Sequence, residues 1–151
     1  MTVLLTKERH PQRITGKTIT TKMQGLLEHL ERGTSELSIL LTDDAGITDY
    51  NRRYLGRTGT TNVISFGVEH AFPVGPDILG DIAVNIDAAK RQSEIRGVTI
   101  TDEIVILCVH GLLHLLGCIH DQQEGATDQD RDSMESRERE LLSRIGIDIT
   151  S

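Results

Sequence analysis

Three histidines in the last third of the chain have the spacing of metal ligands. Residues 110–120 read HGLLHLLGCIH, which places His110, His114 and His120 at positions i, i+4 and i+10. On a helix, positions i and i+4 lie on one face, so two imidazoles there can bind one zinc ion at roughly 2.0–2.1 Å. Gly117 favours the left-handed conformation that ends a helix, after which His120 can return as a third ligand. Three nitrogen ligands leave a fourth position for water, which is typical of a catalytic zinc site.

Two other interpretations of this segment have to be weighed. The zinc-protease pattern HExxHxxGxxH has the same spacing, but it needs a glutamate as general base where this chain has Gly111. Peptide hydrolysis by that mechanism is therefore disfavoured. A Cys118 thiolate would close the site and make it structural, but Cys118 and His120 would both have to reach the ion through one tight turn. We interpret Cys118 as a small buried thiol, and the remaining histidines as ordinary surface residues: His10, His29 and His70.

The helix that carries the first two histidines is predicted to lie in the middle of the fold. Residues 104–116 are apolar almost throughout, interrupted mainly by His110 and His114, and a helix that is apolar on all sides is typically buried. Each buried imidazole needs a polar partner, so two at this spacing favour metal binding over a role in the core. The N-terminal signals of this helix are Thr99 or Thr101, with Asp102 and Glu103.

The remaining patterns predict an α+β fold, with residues 1–151 forming a single domain. The predicted strands are Val3 to Thr6, Glu36 to Thr42, Thr61 to Phe66 and Ile78 to Ile86. The other predicted helices run from Thr18 to a stop at Gly33, from a cap at Asp43 or Asp44, from Asp87 to Arg96, and from near Thr127 to Gly146. The second of these is expected to bury Ile47, Tyr50 or Asn51, and Tyr54. Because strands and helices do not alternate strictly, we expect a small mixed sheet packed on helices.

The composition limits the classes of function. With two Phe, two Tyr and no Trp, the core must be aliphatic and an aromatic platform for stacking bases is not expected. No apolar run reaches the length of a membrane span, residues 1–10 lack a signal-peptide core, and two cysteines make no disulfide framework. A cytoplasmic protein that does not contact a membrane is the expectation.

The charge is acidic overall and unevenly distributed. The formal net charge of −7 argues against indiscriminate binding to nucleic acid. Residues 121–140 hold eight acids against three arginines and carry most of the imbalance. A small basic cluster with no acid among its members is formed by Arg52, Arg53 and Arg57. Each of these stretches, taken alone, is typical of a solvated helix surface.

Three motifs, in order along the chain, resemble those of the YbeY family, zinc-dependent endoribonucleases of ribosomal RNA maturation and quality control. The family hallmark HGxLHLxGYDH is matched by His110, Gly111, Leu113, His114, Leu115, Gly117 and His120. The family segment NxxYRxKxxPT[DN]V[LI]SFP is matched by Asn51, Tyr54, Thr61, Asn62, Val63, Ile64, Ser65 and Phe66. The family LGDI is matched by Leu79, Gly80, Asp81 and Ile82, and a methionine of the next helix by Met134.

The departures from the family pattern concern the substrate side of the site. Leu55 stands where the family has an arginine of the cleft, Thr60 and Gly67 replace two prolines, and Cys118 and Ile119 replace a Tyr-Asp pair. Arg52, Arg53 and Arg57 are the candidates for the missing phosphate contact, and the candidate catalytic residues are Arg53, Arg57 and Asp81. For Asp81, as for Ser65 and Thr61, a role in strand or turn structure is the alternative.

The resemblance implies a zinc-dependent single-strand endoribonuclease. It would bind one Zn²⁺ per chain and act on ribosomal RNA in 16S 3′ end maturation and ribosome quality control, with the ribosome or ribosomal proteins as partners. Whether water or the RNA 2′-hydroxyl attacks stays open. The alternative is a zinc-stabilised, ribosome-associated binding protein with little catalytic activity, which Leu55 and the acidic stretch 121–140 favour, since an acidic face suits a basic ribosomal protein.

Overall fold

The structure, a computed structural model, describes residues 3–8, 13–67, 78–117 and 128–149. The strands of this part are β1 (Val3–Lys7), β2 (Glu36–Thr42), β3 (Val63–Gly67) and β4 (Ile78–Asn85). The helices are α1 (Gly16–His29), α2 (Asp44–Leu55), α3 (Ile86–Arg96), α4 (Ile100–Leu115) and α5 (Asp128–Arg144). The predicted α+β class is confirmed.

The four strands form one mixed sheet in the order β1-β2-β4-β3. β1 pairs with β2 and β2 with β4 in parallel, whereas β3 runs antiparallel to β4 and forms an edge. α4 packs against β3 and β4 on one side and against α1, α3 and α5 on others. This surrounds it with protein, and its apolar residues are largely buried, as the composition of 104–116 predicts.

The described core is aliphatic, as expected. Its buried hydrophobic residues are Ile, Leu, Val, Ala and Met, with Cys108, and no aromatic residue of the described ranges is among them. Burial raises the pKa of the Cys108 thiol to about 12, because a thiolate would lose its hydration there. The prediction that Tyr54 is buried is wrong, since it is 60% exposed. It lies in the last turn of α2, where its ring meets Phe66 of the edge strand edge to face.

Several predicted boundaries move for local reasons. α1 ends at His29, with Leu30 as its cap and Glu31 in a left-handed conformation at φ 61°, so Gly33 is not its stop. Ile86 begins a helix rather than ending a strand, because the Asn85 side chain caps the following N–H groups. α4 begins at Ile100, one turn earlier than the apolar run, after the cap Thr99.

Two glycines allow close contacts that a side chain would prevent, Gly80 between β3 and β4 and Gly111 between α4 and the sheet. Gly80 has φ 142°, and a Cβ there would lie 2.3 Å from the Phe66 carbonyl oxygen, which no other residue type tolerates. A Cβ on Gly111 would lie 2.9 Å from Ser65 Oγ and 3.0 Å from a methyl group of Ile82. A glutamate at 111, as the zinc-protease pattern requires, would therefore meet the sheet at its first carbon.

Within the described ranges, no single helix is long and apolar enough to cross a membrane. By length and composition alone, α3 and α4 pass the same test as a pair that is bent by 110° at their junction.

Candidate metal centre and its cleft

The α4 backbone brings His110 and His114 together on one face. Their Nε2 atoms are 2.9 Å apart, and the ring centroids are separated by 4.4 Å with the planes tilted by 50°. The His110 side chain is 29% exposed, so the pair is reached from solvent although the helix is central. The two imidazoles therefore lie side by side, and that they bind one zinc ion stays a prediction.

Glu138 of α5 contacts His110 from the opposite side of the ring. Its Oε1 atom accepts from His110 Nδ1, and its side chain is only 16% exposed. A carboxylate at Nδ1 keeps the ring proton there and leaves the Nε2 lone pair directed towards His114. In metal sites this arrangement orients a histidine ligand and increases its basicity.

The pattern of α5 contained a signal for Glu138 that the sequence analysis missed. Met134, Leu141 and Leu142 are the buried residues of this helix within 133–144, and Glu138 follows Met134 by four positions. It is a carboxylate on the apolar stripe of an otherwise charged helix. Glu138 is one of eight acids in residues 121–140, and the composition of this stretch does not distinguish it from the other seven.

The donor set fits a zinc ion. Two ligands of a tetrahedral ion at 2.0–2.1 Å lie about 3.3 Å apart, close to the 2.9 Å between the two Nε2 atoms. His120 and Cys118 lie outside the described residues. Within the described ranges no group of three or more His, Cys, Asp or Glu side chains is placed to hold a metal. The third ligand therefore stays a prediction.

A cleft of about 1020 Å³ opens beside the histidines. One set of lining residues comes from the end of α2, the following loop and β3; it includes Leu55, Arg57, Thr58, Thr60, Thr61, Asn62 and Ser65. The other set comes from α4 and its neighbours; it includes Arg96, Ile106, Leu107, His110, His114 and Glu138. The lining combines cationic groups with hydroxyl and amide groups.

The predicted catalytic candidates differ in whether they line the cleft. Arg57 lines the cleft. Arg53 binds Asp49, as Arg52 does, and its guanidinium lies over the Tyr54 ring at 5.8 Å from the centroid. Asp81 is exposed on β4, opposite Phe66. Neither Arg53 nor Asp81 is among the described residues that line the cleft, whereas Leu55, Thr61 and Ser65 are.

The three aromatic residues of the described ranges lie close together. Tyr54 stacks on Tyr50 at 5.9 Å between centroids and meets Phe66 at 5.5 Å. Within the described ranges these rings do not line the cleft. The Tyr50 hydroxyl donates to Glu8, and this hydrogen bond raises the pKa of Tyr50 to about 12.

A polar network holds the loop that borders the cleft. Asn85 is fully buried, and its Nδ2 donates to Asp44 Oδ1 at 2.7 Å, to Thr60 Oγ1 at 3.2 Å and to the Thr61 carbonyl at 3.1 Å. Asp44 also accepts two bonds from Arg91, both at 3.1 Å. The bonds from Arg91 and, next, from Asn85 lower the pKa of Asp44 to about 2. Nothing in the sequence pattern singled out Asn85, because its partners are distant along the chain.

A buried ion pair lies at the other end of α4. Glu103 is fully buried and its Oε1 accepts from Arg96 Nε at 2.9 Å. In the sequence, Glu103 resembles a helix N-terminal signal, whereas in the structure its carboxylate binds the guanidinium of Arg96, which lines the cleft. Arg96 was not among the predicted site residues.

Comparisons with known proteins agree with this architecture. Residues 5–146 match a family model described as Endoribonuclease YbeY. A protein of that name from Syntrophus aciditrophicus is 36% identical over 144 residues, 94% of this chain and 88% of the relative. Another from Syntrophotalea carbinolica is 40% identical over 136 residues, 89% of each chain.

A solved structure shows the same fold at lower identity. The solution structure of TM1509 from Thermotoga maritima has a TM-score of 0.60 and 17% identity, covering 94% of this chain and 90% of that one. At this identity the likeness concerns the fold alone. The family model and the curated relatives carry the assignment, and they show that the chain belongs to the YbeY family.

Proposed function

We propose that this chain is a zinc-dependent endoribonuclease that cleaves single-stranded ribosomal RNA in the cytoplasm, in 16S 3′ end maturation and ribosome quality control. Membership of a family whose members are named endoribonucleases supports the nuclease activity. The observation that supports a metal is the pair of Nε2 atoms 2.9 Å apart, one of them oriented by Glu138.

The residues of the cleft have different roles in this proposal. His110, His114 and the predicted third ligand His120 would hold the ion, and Glu138 keeps the His110 ring in the tautomer that presents Nε2. A bound zinc ion supplies positive charge and lowers the pKa of a water molecule at its open position to about 7. Arg57 is the lining cation from the α2–β3 side, where a guanidinium can donate two hydrogen bonds to a phosphate.

The cleft charge suits RNA better than the overall charge does. The net charge is −7, yet the described cleft presents two arginines, Arg57 and Arg96, and one carboxylate, Glu138, that binds a histidine. Hydroxyl and amide groups of Thr58, Thr60, Thr61 and Asn62 border the same space. Such groups contact phosphate and sugar without reading sequence.

Metal analysis paired with RNA cleavage tests the proposal. Wild-type protein should contain about one zinc per chain and cleave a structured ribosomal RNA fragment, and EDTA should abolish the cleavage. His114→Ala should lose both properties, whereas His29→Ala, at an exposed position of α1, should keep them. Protein without metal, or cleavage that persists in EDTA and in His114→Ala, would contradict the proposal.

One observation favours the second candidate, a ribosome-associated binding protein of low catalytic activity. Leu55, 40% exposed, lies in the cleft where the family has an arginine. Leucine cannot donate to a phosphate. If zinc-loaded protein cosediments with ribosomes but does not cleave RNA, this candidate replaces the first.

A further inference from the structure

A buried carboxylate fixes the position of one arginine of the cleft. Arg96, the last residue of α3, lines the cleft, and its Nε donates to Glu103 Oε1 at 2.9 Å. The Glu103 side chain is 1% exposed and that of Arg96 is 29% exposed. Because a buried carboxylate requires a partner, the pair holds the guanidinium at one place at the border between core and cleft.

The guanidinium retains hydrogen-bonding capacity beyond this pair. It has five N–H donors in a planar fork, and the terminal Nη1 and Nη2 edge can form a bidentate contact independently of Nε. The bond to Glu103 uses Nε. Glu103 Oε2 has no hydrogen-bond partner in the described part of the chain, so the carboxylate does not form a bidentate pair with Arg96. Among the described residues, the terminal edge therefore remains for an anion in the cleft.

The position of Glu103 along α4 indicates which phosphate of a bound strand the Arg96 guanidinium can contact. Glu103, Leu107, His110 and His114 follow one another at helical spacing, and the last three line the cleft. Glu103 and His110 are seven positions apart, which is about 10 Å along a helix axis. A guanidinium anchored on Glu103 is therefore placed for a phosphate at some distance from the histidines. It can reach another phosphate of the same strand.

We propose that Arg96, positioned by Glu103, is a phosphate-binding subsite that contacts RNA away from the cleaved bond. This inference rests on the proposed function in that the ligand is a single-stranded RNA backbone. The contact is the same before and during the reaction, so it contributes to the affinity for RNA and hence to KM rather than to kcat. It also fixes how the strand lies relative to the metal centre.

Equilibrium binding tests the subsite without requiring cleavage. A fluorescent single-stranded RNA oligonucleotide is titrated with protein in EDTA at several salt concentrations. In Arg96→Gln we expect Kd to rise roughly ten-fold or more, and the salt dependence to decrease by about 0.7 in the log–log slope, the share of one phosphate contact. Arg144→Gln removes one charge from α5 at a site 52% exposed and outside the lining residues. It should change Kd less than two-fold.

A double variant separates the contact from net charge and from folding. Arg96→Gln leaves Glu103 buried without its cation and can unfold the chain. Arg96→Gln combined with Glu103→Gln removes both charges, keeps the net charge, and replaces the ion pair by two amides. We expect it to fold and to bind RNA as weakly as a folded Arg96→Gln. Arg96→Lys, which keeps a cation beside Glu103 but lacks the fork, should bind less tightly than wild type.

The outcomes are distinct from those of the cleavage test. RNA affinity and salt slope that match wild type in the folded double variant would overturn the subsite, as would wild type that does not bind RNA. With zinc supplied, Arg96→Gln should raise KM and leave kcat within about two-fold; a fall in kcat at unchanged KM would also overturn it. If wild type binds RNA through Arg96 but never cleaves it, the proposed function fails and the subsite stands.

Discussion

The positive charge in the cleft beside His110 and His114 depends on single residues. Leu55 and Arg57 both line the cleft, whereas Arg52 and Arg53 bind Asp49 on the surface of α2. Of the basic cluster in the sequence, the structure therefore leaves Arg57 as the member at the cleft. Phosphodiester cleavage needs donors where charge develops on the phosphate oxygens.

The substitution Leu55→Arg would place an arginine in the cleft at the position where the family has one. In Leu55→Arg, an added guanidinium in the cleft should increase the cleavage rate of a ribosomal RNA fragment by roughly ten- to a thousand-fold, as single electrostatic donors do elsewhere. Leu4→Arg is the matched control, because Leu4 is 54% exposed and lies on β1, at the opposite edge of the sheet from β3. It should have no effect.

Arg57→Ala decides whether the wild-type chain already has a substitute. If Arg57 supplies the phosphate contact, Arg57→Ala should abolish cleavage and Leu55→Arg should add little to wild type. Zinc-dependent rates of the four proteins, measured on one RNA, give the answer. Equal rates in Leu55→Arg and Leu4→Arg, with full activity in Arg57→Ala, would exclude both residues from the reaction.

At the same scale, spacing predicted the histidine pair but not its partners. His110 and His114 are four positions apart, so local helix geometry brings them together. Glu138 reaches His110 across 28 positions, and Asn85 reaches Asp44 across 41. Their roles depend on how helices pack, which residue types alone do not specify. Glu103 was read as a helix signal for the same reason: its partner Arg96 lies on another helix.

At the scale of elements, the contact between α4 and the sheet fixes the depth of the histidines. Gly111 lies at this contact, where Ser65 Oγ also donates to the Gly111 carbonyl at 3.1 Å. The apolar run predicted that α4 is buried, and Gly111 was read as the absence of a general base. Packing also requires a glycine at position 111, but this requirement becomes visible only when the positions of β3 and β4 are known.

Two glycine substitutions separate this packing from helix propensity. Gly25→Ala in α1, where a Cβ meets nothing within 4 Å, should stabilise the protein by up to about 1 kcal/mol. Gly111→Ala has the same propensity gain but must displace Ser65 and Ile82, so its free energy of unfolding should be lower than that of Gly25→Ala by about 1–3 kcal/mol. Urea denaturation measures both. Equal stabilities would show that α4 can move away from the sheet at no cost.

The ion pair between α2 and α3 should give stability a dependence on acid pH. The bonds from Arg91 and Asn85 lower the pKa of Asp44 from its ordinary value of 3.8 to about 2 in the folded protein. A lowered folded pKa means that the carboxylate stabilises the fold above about pH 4, and that this contribution is lost as the pH falls towards 2. Asp44→Asn should therefore lower Tm near neutral pH, by roughly 2–4 °C for a partly exposed pair.

A double-mutant cycle isolates this pair from the helix N-terminus on which Asp44 lies. Asp44→Asn, Arg91→Gln and the combined variant are compared by denaturation from pH 7 to pH 2. The coupling between the two residues should be nearly constant above about pH 5, decrease as the pH falls below 4, and be largely lost at pH 2. A coupling that is absent at pH 7, or that grows with acid, would contradict the assignment of the pKa shift to Arg91.

At the scale of the whole molecule, local patterns predicted the class and most elements but not their arrangement. The sheet order β1-β2-β4-β3 places β4 between two strands that precede it in sequence. Alternating residues of β4 do not indicate which neighbours they pair with, so this order follows from the packing of the complete chain. The cleft depends on this strand order. Because β3 is at the edge of the sheet, the loop that precedes it lies beside α4 and lines the cleft.

The predicted metal should stabilise the folded protein, because folding is needed to bring its ligands together. His110 and His114 belong to α4 and Glu138 to α5, and a metal that binds only the folded state raises stability with its concentration. Zinc at about 100 times its Kd should add about 2.7 kcal/mol, or roughly 5–10 °C in Tm for a chain of this size. Titration of chelator-treated protein with zinc, followed by thermal unfolding, measures the effect.

A graded set of variants tests which residues carry this stabilisation. His114→Ala and His120→Ala should lose it, since two imidazoles hold the ion far more weakly than three. Glu138→Gln should keep it but need about 10–100 times more zinc, because an amide orients His110 less strongly than a carboxylate. His29→Ala should respond as wild type does. If zinc raises Tm equally in His114→Ala and His29→Ala, the ion binds elsewhere and the ligand assignment is wrong. If His120→Ala alone keeps the full response, another residue provides the third ligand.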